Sequence, residues 1–419
     1  MIALLRADAR HIPLRDESVQ CVVTSPPYWG LRDYGIEPSV WRGDPDWLGV
    51  LGLEPTPDLY ITHMVEVFRD VKRVLRNDGT LWLNMGDCYA TGAGKVGEHP
   101  GGGAQGARFK EPSRGVGYRG TQPLPGLKPK DLVGMPWRLA FALQADGWYL
   151  RQEIIFSKPN PMPESVRDRP TRAHEQIFLL SKRERYFYDD IAVREPAIHA
   201  GRIVEYDGTQ KNCRAGDEAN DRRTLIASTR VVGSNRSIRS VWTIPTQPFP
   251  DAHFATFPED LVRPCIAAGT SEAGGCAECG RPWRRVVEKD LVATRGRVGY
   301  HNGDGPRQDM TRMDAGTAWD HSGGVYGRYE VRTLGFRPSC TCTTDLPPVP
   351  QLVLDPFGGS GTVALVAAKM GRRAVSLDLK MEYLQMARER TRGVRKQLPL
   401  ALDMRGAGSQ LSLIDKEQS

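Results

Sequence analysis

The stretch "QLVLDPFGGSGTVALVAAKMGRRAVSLDLKMEYLQMARER", residues 351–390, constrains the fold more than any other part of the chain. It reads as a short buried strand, a glycine loop, an apolar helix, a second strand and a second helix. A strand that returns through a helix to another strand lies parallel to it and places the helix on a sheet face. The same alternation recurs upstream. Strands are expected at Ile2 to Leu5, at Gln20 to Thr24 and in "GTLWLNMGD". A helix over 58–76, stopping at "NDG", is expected from its apolar spacing. "KPKDLVGMPWRLAFALQADGWYLRQEIIFSK" reads as helix then strand, "HEQIFLLSK" as a strand, and "FPEDLVRPCIAAG" as a helix. The expectation is an α/β fold with a mostly parallel sheet, and 419 residues leave room for one or two smaller modules.

Three segments fall outside this pattern. Thr91 to Gly126 is Gly-rich and cannot build a core, so a mobile loop over 91–126 is expected. Residues 190–250 are polar and Arg-rich, and the tail from 405 to 419 reads as disordered. No apolar run is long enough to span a bilayer, and "MIALLRADAR" lacks a signal-peptide layout. No membrane association and a cytoplasmic location are therefore expected. A net charge of +7 and a pI near 9.0 suit a polyanionic partner without requiring one.

Two motifs carry chemistry. In "LDPFGGSGT", Gly358, Gly359 and Gly361 allow a ligand to approach the backbone at the start of a helix. The loop lacks the Gly-Lys-Ser/Thr ending of a phosphate-cradling P-loop, and its G-G-x-G spacing is not the dinucleotide fingerprint. Asp378, ending the next strand, can accept hydrogen bonds from both hydroxyls of a ribose, or can serve as a helix N-cap. In "TSPPYWG", residues 24–30, two prolines cannot continue a ladder. They stiffen the chain beyond the strand and present Ser25, the carbonyls and Tyr28 together. A rigid turn with its aromatics in the core is the competing explanation.

With "TSPPY" upstream and "DPFGGSGT" downstream of it, the chain resembles the amino-methyltransferases that modify DNA bases using S-adenosylmethionine. That order is similar to the circularly permuted β class. The resemblance covers nearly the whole chain apart from the Gly-rich loops, residues 190–240 and the tail. It implies a Rossmann-like domain with a circularly permuted, seven-stranded sheet. Ser25, Pro26, Pro27 and Tyr28 would form the catalytic loop. Asp355, Phe357, Gly359, Gly361 and Thr362 would line the cofactor pocket, with Asp378 on the ribose, Asp8 near the adenine and His253 to Pro258 toward the methionine end. The substrate would be an extruded base of double-stranded DNA. Serine at the first motif position resembles cytosine-N4 enzymes, whereas aspartate or asparagine there resembles adenine-N6 enzymes. Cytosine is therefore favoured, with adenine as the alternative. An RNA or protein-amide substrate, or an inactive DNA-binding protein, are rivals. The resemblance leaves room for a cognate restriction endonuclease and for a monomer or a homodimer.

Cys276 and Cys279, with Cys340 and Cys342, supply four thiols, enough for one tetrahedral structural zinc; four unrelated reduced thiols are the alternative. The expected organisation is a catalytic half at 1–190, a target-recognition region at 191–250, a cofactor-side helix at 251–270, a zinc-binding insertion at 271–345 and a cofactor-binding half at 346–404. The arginines of 190–250 could neutralise phosphates or stand on a solvated loop. Those of "PESVRDRPTRAHE" could face the catalytic edge or pair with Glu164 and Asp168.

Overall fold

A computed structural model describes residues 1–31, 33–90, 126–198, 200, 203–206, 228–231, 234–246, 257–293 and 327–394. Most of the 91–126 loop, most of the arginines between 200 and 233, and the tail lie outside them.

The main sheet contains β1 (Ile2–Arg6), β2 (Val19–Thr24), β3 (Leu75–Met85), β4 (Tyr149–Ser157), β5 (His174–Ser181), β6 (Val241–Thr243), β7 (Leu352–Asp355) and β8 (Arg373–Asp378). Their spatial order is β1-β8-β7-β2-β3-β5-β4-β6. Neighbours pair in parallel except around β5, which runs against both β3 and β4. All of β2 and β7 is buried, as continuous apolar runs in a parallel sheet require. The sheet has eight strands rather than seven. The addition is β6, which pairs in parallel with β4 and falls within the span 191–250 expected for the recognition region.

Helix α1 (Pro57–Val74) is capped by Thr56, whose hydroxyl accepts the Leu59 N–H, and has Pro57 in its first turn and Lys72 and Arg73 in its last. It ends at Val74, and the expected "NDG" stop is instead part of β3, where Arg76 pairs with Asp78 at 3.0 Å. Helices α2 (Met135–Ala145), α3 (Glu259–Gly269), α4 (Thr362–Lys369) and α5 (Met381–Thr391) complete the layers. A hairpin of Ser39–Trp41 and Asp44–Gly49 carries Trp41, which packs into the core with Tyr60, Met64 and Leu51.

The chain forms two compact units. One contains Met1–Val193, Arg239–Arg284 and Arg337–Ser419; the other contains Arg194–Ile238 and Arg285–Phe336. The four cysteines of the expected zinc insertion therefore belong to the first unit. The two-stranded ribbon between them, Arg284–Ala293 with Gly327–Arg337, lies almost wholly in the second. Among the described residues no helix is long and apolar enough to cross a membrane.

Candidate active site

The carboxyl ends of β1, β8, β7, β2, β3 and β4 share one edge of the sheet with the amino end of β5. This is the edge where open α/β sheets take ligands. A cavity of about 890 Å³ runs along it.

On one side lies the glycine loop. Gly358 donates its N–H to Leu377 O at 2.7 Å, and a Cβ there would fall 1.9 Å from Ser376 Oγ, so only glycine fits. Gly361 caps α4 in the left-handed region, at φ 74°. Phe357, Gly359, Thr362 and Asp378 line the cavity, with Tyr383 of α5. Asp355 and Gly361 are not among the lining residues. Asp355 is buried behind the wall, accepting the Thr24 hydroxyl at 2.7 Å and the Phe357 N–H at 3.1 Å. Gly361 packs toward Ala387.

Asp378 accepts N–H groups from Gly359 at 3.0 Å and Lys380 at 2.8 Å, so it shapes the loop as well as facing the cavity. The N-cap of α5 is Lys380. Burial pushes Asp378 up to about 6 and Asp355 up to about 7. Asp8 also lines the cavity, but its carboxylate is held by Arg10, which stacks over Trp41 at 4.2 Å. From the expected His253–Pro258 segment, Phe257 and Pro258 line the cavity; 253–256 lie outside the described residues. The donor set suits a nucleoside with a short polar tail: a carboxylate for ribose hydroxyls, an aromatic and apolar wall, and a backbone that only glycines can form.

On the other side of the same cavity are Ser25, Pro26, Pro27 and Tyr28. Their rigidity has visible causes. Tyr60 donates its hydroxyl to Pro27 O at 2.8 Å. The Trp29 indole is buried and donates to Glu54 O at 2.9 Å. Gly30 donates to Gly52 O at 2.7 Å. The Glu54 side chain accepts the Gly52 N–H at 2.8 Å and sits 3.0 Å from His63 Nδ1, itself flanked by Trp41 and Trp47. Trp29 is thus a core residue that anchors the loop.

Sequence reasoning gave no role to a polar cluster beneath Tyr28. Asn84 donates to Tyr28 Oη and to Glu175 Oε2, both at 2.9 Å. Tyr28 donates to Glu175 Oε2 at 3.1 Å, and Ser25 Oγ lies 3.2 Å from Tyr28 Oη. Lys158 holds the other Glu175 oxygen in an ion pair. Burial raises the Glu175 carboxyl, but the Lys158 charge and the donated hydrogen bonds outweigh it and leave it below its ordinary value. Burial, with Glu175 alongside, drives the Tyr28 phenol well above its ordinary value, so it stays protonated. Each of these residues stood in a quoted strand-end segment, but only the strand pairing shows that Asn84, Lys158 and Glu175 meet.

Nearby, Arg169 pairs with Glu164 at 2.7 Å and stacks over Tyr89, while Asp168 pairs with Lys130 at 2.7 Å. Arg172 donates to Asp87 O. Arg169 and Arg172 therefore serve local structure.

The chain matches the N6_N4_Mtase family, DNA methylase, over residues 19–277 and 346–389. It is 38% identical to Type II methyltransferase M.XycI of Xanthomonas campestris pv. cyanopsidis, over 90% of this chain and 82% of that one. It is 37% identical to Type II methyltransferase M.SmaI of Serratia marcescens, over 90% and 85%. With M.SfiI of Streptomyces fimbriatus the identity is 41%, over 88% and 86%. This chain belongs to the N6_N4_Mtase family of DNA methylases.

Proposed function

We propose that the protein transfers the methyl group of S-adenosylmethionine to the exocyclic N4 of a cytosine extruded from duplex DNA. The observation that carries this reading is the shared cavity: the Ser25–Tyr28 loop and the glycine loop face the same space. A base inside a helix is out of reach of such a site, and extrusion costs about a few kcal/mol. Stacking on an aromatic ring such as Tyr28 returns roughly 1–3 kcal/mol.

When bound, the cofactor supplies an electrophilic methyl on a sulfonium, so the protein needs neither a covalent intermediate nor a metal for the transfer. The chain's own task is to fix a weakly nucleophilic amino group. A carboxylate only accepts hydrogen bonds. Glu175 therefore draws the Tyr28 O–H toward itself, and the Tyr28 oxygen accepts from Asn84 and from the Ser25 O–H. The hydroxyl row thus runs from Ser25 through Tyr28 to Glu175, all three of which line the cavity. Ser25 Oγ is left to accept an N–H of the base, with the Pro26 carbonyl beside it. As the N–C bond forms and the S–C bond to the methyl breaks, leaving a neutral thioether, the nitrogen sheds one proton. Ser25, Tyr28 and Glu175 provide a route for it, each oxygen passing its own proton on as it receives the next.

Ser25 supports cytosine, since a serine at this position matches the cytosine-N4 pattern and carries no charge. Mass spectrometry of nucleosides from DNA treated with the purified protein and cofactor tests the assignment. N4-methylcytosine is the expected product. N6-methyladenine as the sole product refutes the base, and no methylated nucleoside refutes the activity.

A further inference from the structure

We propose that Cys276, Cys279, Cys340 and Cys342 bind one zinc ion, and that this ion fastens together, within the first unit, the two segments between which the chain makes its excursion from Arg284 to Arg337. The four sulfur atoms lie within 4.8 Å of one another, and none of these cysteines is in a disulfide. In a tetrahedral zinc site with bonds of about 2.3 Å, the sulfurs sit about 3.8 Å apart. Closing onto a metal thus needs only a small contraction.

The backbone is arranged for this. Gly280 donates to Cys276 O at 2.9 Å, Cys276 donates to Arg281 O at 2.8 Å, and Gly280 takes the left-handed region at φ 71°. This tight turn brings both thiols of the first pair to one side. The second pair is secured by Ser339 Oγ donating to Pro282 O at 2.7 Å, and Gly275 and Val349 exchange two backbone bonds at 2.8 Å each. The turn is in turn bolted to the sheet: Arg76 of β3 donates to Cys279 O at 3.0 Å. A Cβ on Gly280 would come within 2.7 Å of that guanidinium.

Arg76 stands at the opposite end of β3 from Asn84, eight residues away, or about 26 Å along an extended strand. Four thiolates also leave no open coordination position. The ion is therefore structural. Its need follows from the ribbon: an isolated two-stranded hairpin is marginal in water, and residues 285–290 are half-buried or exposed. The chain leaves the catalytic unit after Arg284 and returns at Arg337, with one cysteine pair on each side of the excursion. The family match breaks over 278–345, so this element is added to the shared domain. Thiolate ligands favour soft or borderline metals, and zinc brings no redox chemistry.

Elemental analysis of the full chain, purified without chelator, reads the metal independently of methyl transfer. One zinc per chain is expected, lost in Cys279→Ser and Cys342→Ser and kept in Cys88→Ser, whose free thiol is outside the quartet. No bound metal, or iron in its place, overturns the assignment. Stripping the zinc with a strong chelator should speed trypsin cleavage between residues 280 and 340 by about tenfold or more, with restoration by added zinc. S-adenosylmethionine affinity should stay within about twofold over the same treatment. Unchanged cleavage, or loss of cofactor affinity along with the metal, overturns the fastening role.

Discussion

Thr24 donates its hydroxyl to Asp355 Oδ1 across 2.7 Å, joining residues 331 positions apart. These are the last residues of two adjacent parallel strands, one leading into the Ser25–Tyr28 loop and the other into the glycine loop. The bond sets the spacing between the two sides of the cavity. Thr24→Val removes the donor and leaves Asp355 with the Phe357 N–H alone. Urea denaturation should show a loss of about 1–3 kcal/mol at pH 8. The loss should be smaller at pH 5, where Asp355 is protonated and needs the donor less.

Asp355 also sets a pH dependence of stability. Burial raises its carboxyl from 3.8 to about 7 in the folded chain. The folded state then binds the proton more tightly than the unfolded state. Its contribution is complete below about pH 4, falls as pH rises from about 4 to 7, and is level above that. Asp355→Asn should flatten this part of a stability-against-pH curve measured by denaturation. An unchanged slope would place the titration elsewhere.

Cofactor affinity should run the other way. In the proposed cofactor site an ionised Asp378 would accept both ribose hydroxyls, and burial sets its carboxyl at about 6. Calorimetry should find binding of S-adenosylmethionine weakening by about tenfold from pH 7 to pH 5, because one proton must be displaced. Asp378→Asn should bind weakly at every pH. A pH-independent affinity in the parent protein would remove Asp378 from the ribose.

The Glu175 cluster predicts a split between binding and turnover. Glu175→Gln puts an N–H donor where Tyr28 needs an acceptor and reverses the hydroxyl row. The turnover rate should fall on the order of 10²-fold, with cofactor affinity unchanged. Tyr28→Phe keeps the ring for stacking and should fall less far than Tyr28→Ala, which loses both ring and hydroxyl. Equal loss of cofactor binding in either Tyr28 variant would contradict the division between the two sides of the cavity.

These two sides were not equally legible in the sequence. The strand–glycine loop–helix–strand unit around Gly358 could be read because a glycine-only backbone leaves its mark in one contiguous stretch. The proline pair likewise marks a strand end locally. Asn84 and Glu175 come from two strands and Lys158 follows the end of a third, and their meeting depends on β5 running against its neighbours, which periodicity does not encode. The end of α1 was misread for a related reason: "NDG" looks like a helix stop until Arg76 and Asp78 pair within β3. Val241–Thr243 is three residues long, too short for its alternation to stand out from a polar region.

The central claim is that a swung-out cytosine meets the methyl donor between Ser25 and the glycine loop. A crystal structure of the protein with a duplex oligonucleotide and a non-reactive donor analogue tests it most directly. The account predicts the cytosine amino nitrogen within hydrogen-bond reach of Ser25 Oγ, its ring against Tyr28, and about 3–3.5 Å between that nitrogen and the transferable group's position. A base held elsewhere, or a donor bound away from Asp378 and Phe357, would contradict it.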